Sequence, residues 1–395
     1  MIKLSASAIA AFKACPYRYY IKYVLGIRLA EDTESQRIGS TWHKCLQILG
    51  QEPESVCREC AEKSKPSADC IFCRGKQYIP KDRLSLAVRY LEEKYSNIPD
   101  YMTPEECRLE YVKLLYCLYG YNWYWGQNDF SVIINELQFS IPVREPDTNR
   151  VMLNCEINGR IDKIVKNTND MFMLVEHKST SKPIDSGSSV WNRLRLDTQK
   201  KLYTYTIQQL QLSGELDYII EKDSPLLTGC FYDFFHKPTI KPKKLSQADT
   251  KKFIETGKYY DEEFLITQEN DTTLKIDDET ADIEPGKKEG MFSIRETPIM
   301  YGCRLLYDIK TRPEFYFARR EIPTTESDIE QFKVELYNIL RTIKQMKKTN
   351  SWFHNESQCE ATFKCPFTSF CYNGVEPDVN SLPDKFKCIY KGDKE

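Results

Sequence analysis

The chain of 395 residues lacks the features that would place it in several large classes. No apolar run approaches the roughly 18 residues a membrane-spanning helix needs, which excludes a helical membrane protein. An excess of one charge is also missing: 56 Lys and Arg face 58 Asp and Glu. That balance excludes histone-like bulk binding and confines any nucleic-acid site to a local basic surface. No internal repeat is present, hence no solenoid or propeller. No G-x-x-x-x-G-K-[ST] phosphate loop occurs, so ATP-driven unwinding would have to come from a helicase partner. No pairing of Cys with His stands out, which leaves a cysteine hydrolase without support. The opening "MIKLSASAIAAFKAC" mimics a signal peptide, but Lys13 interrupts a short, weak apolar stretch, and a mature N-terminus is expected.

Cysteine, by contrast, is plentiful. Fifteen would suggest disulfides in a secreted protein, yet the count is odd and seven fall into two compact clusters. Metal binding in a reducing cytoplasm is the better reading. In "CRECAEKSKPSADCIFC", Cys57, Cys60, Cys70 and Cys73 form two C-x2-C pairs separated by nine residues, the pattern of tetrahedral thiolate zinc. Four thiolates close the coordination shell to water, so the role predicted is structural. Arg58, Lys63, Lys65, Arg74 and Lys76 of this insert could face DNA or simply keep it soluble. The second cluster, "CEATFKCPFTSFC", offers Cys359, Cys365 and Cys371 and leaves a site one ligand short. His354, five residues upstream, could complete a zinc site there.

Periodicity organises the rest. "SASAIAAFKACPYRYYIKYVLG" reads as a helix capped by Ser5 or Ser7 and interrupted near Pro16, and "GSTWHKCLQILG" has helical spacing at Trp42, Cys45, Leu46 and Leu49. "TPEECRLEYVKLLYCLYGYNWYW" opens with Thr103 as cap, Pro104 in the first turn and Glu106 three residues after the cap; its aromatic stripe is expected in a core. Between residues 131 and 179 the period becomes two, giving strands in "SVIINELQFSIPV", "VMLNCEINGRIDKIV" and "MFMLVEHKS". "LDTQKKLYTYTIQQLQL" is helical, "TGCFYDFFHK" and "EFYFARREI" are strands, and "ESDIEQFKVELYNILRTIKQMKK" is a long amphipathic helix. The order predicted is a helical part (1–50), a zinc-binding insertion (51–80), a helical segment (81–130), a catalytic core (131–236), a charged surface excursion (237–300), and a strand, long helix and cysteine cluster (301–395).

Within the core, "GRIDKI" and "LVEHKS" place Asp162, Glu176 and Lys178 at the ends of two otherwise apolar strands. Side chains alternate along a strand, so Glu176 and Lys178 share one face and His177 takes the other, leaving its carbonyl available. Two carboxylates and one carbonyl make the all-oxygen setting a hard divalent cation prefers. A lysine beside such an ion can orient water or offset developing charge, which is the equipment for cleaving a phosphodiester. A surface pair between Glu176 and Lys178 would be the bland alternative. Arg193 and Arg195 precede the next helix and could hold phosphates or sit in a solvated loop.

In their order along the chain, these segments resemble the RecB-like, AddB-like branch of the PD-(D/E)xK nuclease superfamily. The matching pieces are "LSASAIAAFKACPYRYYIKY", "GSTWHKCL", "INGRIDKI" followed by "MLVEHKS", and "QKKLY". The resemblance implies an α/β, restriction-endonuclease-like core: a central mixed sheet flanked by helices, carrying the zinc insertion and the C-terminal cysteine cluster. It implies Mg or Mn held by His43, Asp162, Glu176 and the His177 backbone carbonyl, with Lys178, Gln199 and Tyr203 completing the catalytic set. It also implies a [4Fe-4S] cluster on Cys15, Cys359, Cys365 and Cys371, although the gap after Cys359 is five residues where the family pattern has two. The expected function is a metal-dependent DNA exonuclease in recombination, repair or phage replication. The alternative is a catalytically silent nucleic-acid-binding or scaffold protein that keeps the fold.

Overall fold

Six strands build one mixed sheet: β1 (Ile2–Leu4), β2 (Phe130–Arg144), β3 (Val151–Asn167), β4 (Phe172–Thr180), β5 (Gly229–His236) and β6 (Phe317–Pro323). The computed structural model describes residues 1–61, 67–126, 130–270, 273–277, 279–286, 290–361 and 364–390. Lys63 and Lys65 of the insertion lie outside them. The period-two stretch folds as an antiparallel meander, β2 against β3 and β3 against β4. β5 joins β4 in parallel, and β6 closes that edge antiparallel to β5. β2 pairs along nearly all of one edge of β3, so β1 and β4 share the other edge: β1 pairs with Cys155–Ile157 and β4 with Lys163–Lys166.

Seven helices matter for the site: α1 (Ala6–Ala14), α2 (Glu34–Leu49), α3 (Arg83–Ser96), α4 (Pro104–Trp125), α5 (Thr198–Leu212), α6 (Pro298–Thr311) and α7 (Glu326–Thr349). Their starts follow local chemistry. Ser5 accepts from Ala8 N at 3.2 Å, and Thr103 and Glu106 form a reciprocal capping box behind Pro104. Against one face of the sheet, α1, α5 and α7 bury Ile9, Phe12, Leu202, Phe332 and Leu340 together with Ile157, Ile161 and Tyr232. On the other face, α2, α3, α4 and α6 enclose Trp42, Leu91, Leu118 and Leu305 with Phe235 and Phe317. Trp42 stacks on Phe235 at 4.1 Å between centroids. Each such large side chain contributes about 1.5–3 kcal/mol by leaving water. The cysteine insertion follows α2, closes on a bridge between Val56 and Tyr78, and adds Cys57, Cys60, Phe72 and Cys73 to this second core.

Two segments differ from the sequence reading. The helix α6 was not anticipated, although Thr297 accepts from Met300 N and Pro298 occupies its first turn. The stretch read as a charged surface excursion folds around a core of its own, with Leu245, Phe253, Phe264, Leu274 and Ile276 packed with Met300 and Cys303 of α6. Its anchor is Glu296, buried, which accepts from Tyr259 Oη at 2.5 Å and from Arg304 Nη2 at 2.7 Å. Charge dominates its composition because so few residues are needed to fill so small a core.

Candidate active site

Backbone pairing between β3 and β4 runs from Lys166 opposite Phe172 to Lys163 opposite Val175, and stops there. The next opposed positions are Asp162 and Glu176. Neither is at a strand end, as the sequence reading had it; both lie mid-strand, where β3 and β4 diverge. Asp162 causes the split to be tolerated: its Oδ2 accepts the His177 N–H at 2.9 Å, replacing a ladder carbonyl. β4 remains paired with β5 as far as Thr180 opposite His236, which holds Glu176 and Lys178 on a rigid strand.

The alternation expected from sequence is present. Lys178 Nζ lies 3.0 Å from Glu176 Oε1, and the lysine also donates to Gln199 Oε1. Gln199 is set by Asp197, the cap of α5, whose carboxylate accepts from Gln199 N at 2.6 Å and Lys200 N at 3.1 Å. Its amide donates to Glu176 Oε1 at 2.5 Å and contacts Tyr203 Oη, one turn along, at 3.2 Å. From α2, His43 brings Nδ1 to 3.5 Å from Asp162 Oδ2. His43, Asp162, Glu176, Lys178, Gln199 and Tyr203 thus meet in one place.

Burial, and then the neighbouring Asp162, push the Glu176 carboxyl up to about 7. Asp162 is half-buried, which raises it, but His43 and His177 hold it well below the usual carboxylate range. Burial opposes the charge on Lys178, yet Glu176 and Asp197 outweigh it and keep the ammonium protonated. Glu176 Oε2 is buried with no hydrogen-bond partner. An orphaned carboxylate oxygen beside a second carboxylate and an imidazole is the donor set of a divalent cation, so these residues fit Mg or Mn.

Beside Lys178 and Gln199 a cleft of about 710 Å³ runs along α1, with Lys182 and Arg193 on its wall; Arg195 is not on that wall. The Cys57, Cys60, Cys70 and Cys73 sulfurs all lie within 4.8 Å of one another and could hold a metal ion. Cys15, Cys359, Cys365 and Cys371 line a separate small cavity together with His354.

Sequence reasoning missed the opposite face of β4. There His177 Nδ1 sits 3.1 Å from Asp233 Oδ2, a close polar contact without hydrogen-bond alignment. Asp233 accepts from Tyr121 Oη and from Arg319 Nη2 at 3.3 Å, and Arg319 lies 4.1 Å over the Trp125 ring. Burial, then Lys163, push the His177 imidazole down to about 4, so it is neutral. The one signal was Asp233, a charge inside the apolar run "GCFYDFFH".

Fold and donor set together define a class: an α/β protein whose diverging central strands present a carboxylate centre suited to a divalent metal. Residues 3–372 match the PD-(D/E)XK nuclease superfamily, nearly the whole chain, and the protein belongs to that superfamily. No curated protein sequence matches it. Among the described residues no helix is long and apolar enough to cross a membrane.

Proposed function

We propose that the protein is a divalent-metal-dependent DNA exonuclease of the RecB-like branch, acting on DNA ends in recombination, repair or phage replication, beside a helicase partner. The observation that carries this reading is the convergence of Asp162, Glu176 and Lys178 at the split between β3 and β4, locked by Gln199. His43, Asp162, Glu176 and the His177 carbonyl would hold the ion, and the imidazole tilts preference towards manganese without excluding magnesium. Once bound, Mg or Mn polarises a phosphate oxygen and acidifies water. Lys178, kept charged by its carboxylate neighbours, orients the attacking water or offsets charge on the phosphate. Gln199 holds Glu176 and Lys178 at fixed spacing, and Tyr203 braces Gln199. Lys182 and Arg193 take the strand's phosphates in the adjoining cleft.

The two cysteine quartets take different groups in this reading. Cross-pair sulfur distances of 3.7 Å (Cys57 to Cys70) and 3.6 Å (Cys60 to Cys73) fit one zinc ion. Tetrahedral bonds of about 2.3 Å place sulfurs about 3.8 Å apart. Cys15, Cys359, Cys365 and Cys371 line one small cavity with His354. In this reading the four cysteines hold a four-iron cluster there, bound through their thiolates.

Incubation with end-labelled linear DNA and covalently closed circles, in Mg or Mn, tests the proposal. Cleavage of linear forms alone is expected. Cutting of closed circles would replace the exonuclease reading with an endonuclease, and no cutting of either would overturn the nuclease reading.

A further inference from the structure

Behind the catalytic strand lies a second cavity, of about 530 Å³, that the proposed chemistry does not use. It opens between the end of α2, the end of α4 and the face of the sheet opposite Glu176 and Lys178. Its floor is Lys163, His177 and Arg319. Lys163 is 7% exposed, and it makes no hydrogen bond or ion pair within 4 Å with any described residue. Its ammonium faces the cavity, so only water or a ligand held there can solvate it. His177, 3% exposed, has no hydrogen-bond partner for Nε2, and neither does the buried indole N–H of Trp125. At the mouth, Lys81 and Arg83 stand with Glu52 and Asp82. Asp82 is engaged as the cap of α3, accepting from Ser85 N at 3.0 Å, and Arg83 donates to the Gln51 carbonyl at 2.7 Å. Arg319 is held by Asp233 and Lys81 by Glu54, so among the described residues Lys163 is the cation of this lining left without a hydrogen bond or ion pair.

The side chains that lack partners here include an ammonium and an indole N–H, both donors, and the walls beside them are aromatic: Tyr121, Trp125 and Phe130. Such a lining asks for an anionic acceptor carried by something flat. We infer that this cavity is a binding site for a small phosphomonoester, with the phosphate against Lys163 and the remainder of the molecule against the Trp125 wall. The cavity shares one strand with the catalytic face, and its wall residue His177 is the one whose N–H fixes Asp162. A ligand there sits one backbone away from the carboxylate pair without entering the strand cleft.

The test is isothermal titration of the full chain, zinc-loaded, in buffer without added divalent cation. The probes are inorganic phosphate, deoxyadenosine 5′-monophosphate and deoxyadenosine. One phosphate-dependent binding event per chain is expected. It should weaken at least tenfold in Lys163→Met and in Ser131→Trp, which blocks the wall, and stay unchanged in Arg193→Ala on the strand cleft. Equal binding of inorganic phosphate and the nucleotide identifies free phosphate as the source, and nucleotide binding alone identifies the phosphomonoester of a nucleoside. Ser131→Trp keeps the test decisive if Lys163→Met does not fold. Binding retained in both cavity variants, binding of the nucleoside alone, or no binding of any probe at millimolar concentration overturns the inference.

Discussion

The two cysteine quartets are assembled in different ways. Cys57, Cys60, Cys70 and Cys73 fall within seventeen consecutive residues, and their sulfurs already stand at ligand spacing on a short hairpin base. Cys15 meets Cys359, Cys365 and Cys371 only because the chain returns to its start after building the whole sheet. Hydrogen bonds accompany that return: Tyr17 N donates to Phe353 O at 3.1 Å and Asn355 N to the Cys15 side-chain Sγ at 3.4 Å. Bridging Cys15 to Cys359 closes a loop of 344 positions against ten between Cys60 and Cys70. Loop-closure entropy makes the long bridge worth about 3 kcal/mol more to the native state. With the proposed groups bound, the local quartet would staple an insertion and the distant one would fasten the fold.

The contrast is sharpest when chemistry is removed and both quartets are left alone. Asp162→Ala, Glu176→Ala and Lys178→Ala are each expected to lower cleavage on the order of 10³-fold. Zinc and iron content and DNA binding should not change, as single-turnover cleavage, elemental analysis and a binding titration would show. Full activity in Glu176→Ala would end the assignment.

Next in size is Cys15→Ala. Anaerobically purified protein should be brown, with broad absorbance near roughly 400 nm. The substitution should bleach it and lower the thermal midpoint by roughly 5 °C or more. Colourless protein that keeps two zinc ions per chain after Cys15→Ala would show that no such tether exists, with His354 then the fourth ligand.

His43→Ala should weaken metal-dependent activity roughly tenfold in magnesium and less in manganese, read from metal titrations of the cleavage rate. Identical titration curves for variant and parent would return His43 to the role of a packed helix residue. The smallest effect belongs to the local quartet: serine at all four positions should remove one zinc and expose residues 51–80 to protease, with cleavage held within about threefold. Undiminished zinc would place the ion elsewhere.

Much of this was legible because it is local. The Thr103 capping box, the two-residue period from 131 to 179 and the pairing of Gln199 with Tyr203 each depend on residues a few positions apart. The split at Asp162 was half legible: the residue types were visible, but which positions cease to pair depends on β1 and β4 sharing one edge of β3. The network of Tyr121, His177, Asp233 and Arg319 was not legible at all. Its members come from four elements separated by up to 198 positions, and no spacing rule joins them. Nothing in the strand pattern marks Lys163, because the cavity it lines is closed by the distant ends of α2 and α4.

The pairing of Ile27–Leu29 with Phe386–Cys388 has a temporal consequence. On a ribosome adding about 5–20 residues per second, the earlier strand waits roughly 20 to 70 seconds for its partner. Tyr17, Ile21 and Ile27 pack with Phe367, Phe370 and Phe386, so that cluster also stays open through the wait. The carboxylate centre, drawn from residues 43 to 203, is translated long before the clasp that steadies the first helices. A nascent chain stalled before residue 359 would carry every candidate catalytic side chain without the strand that pairs with Ile27–Leu29.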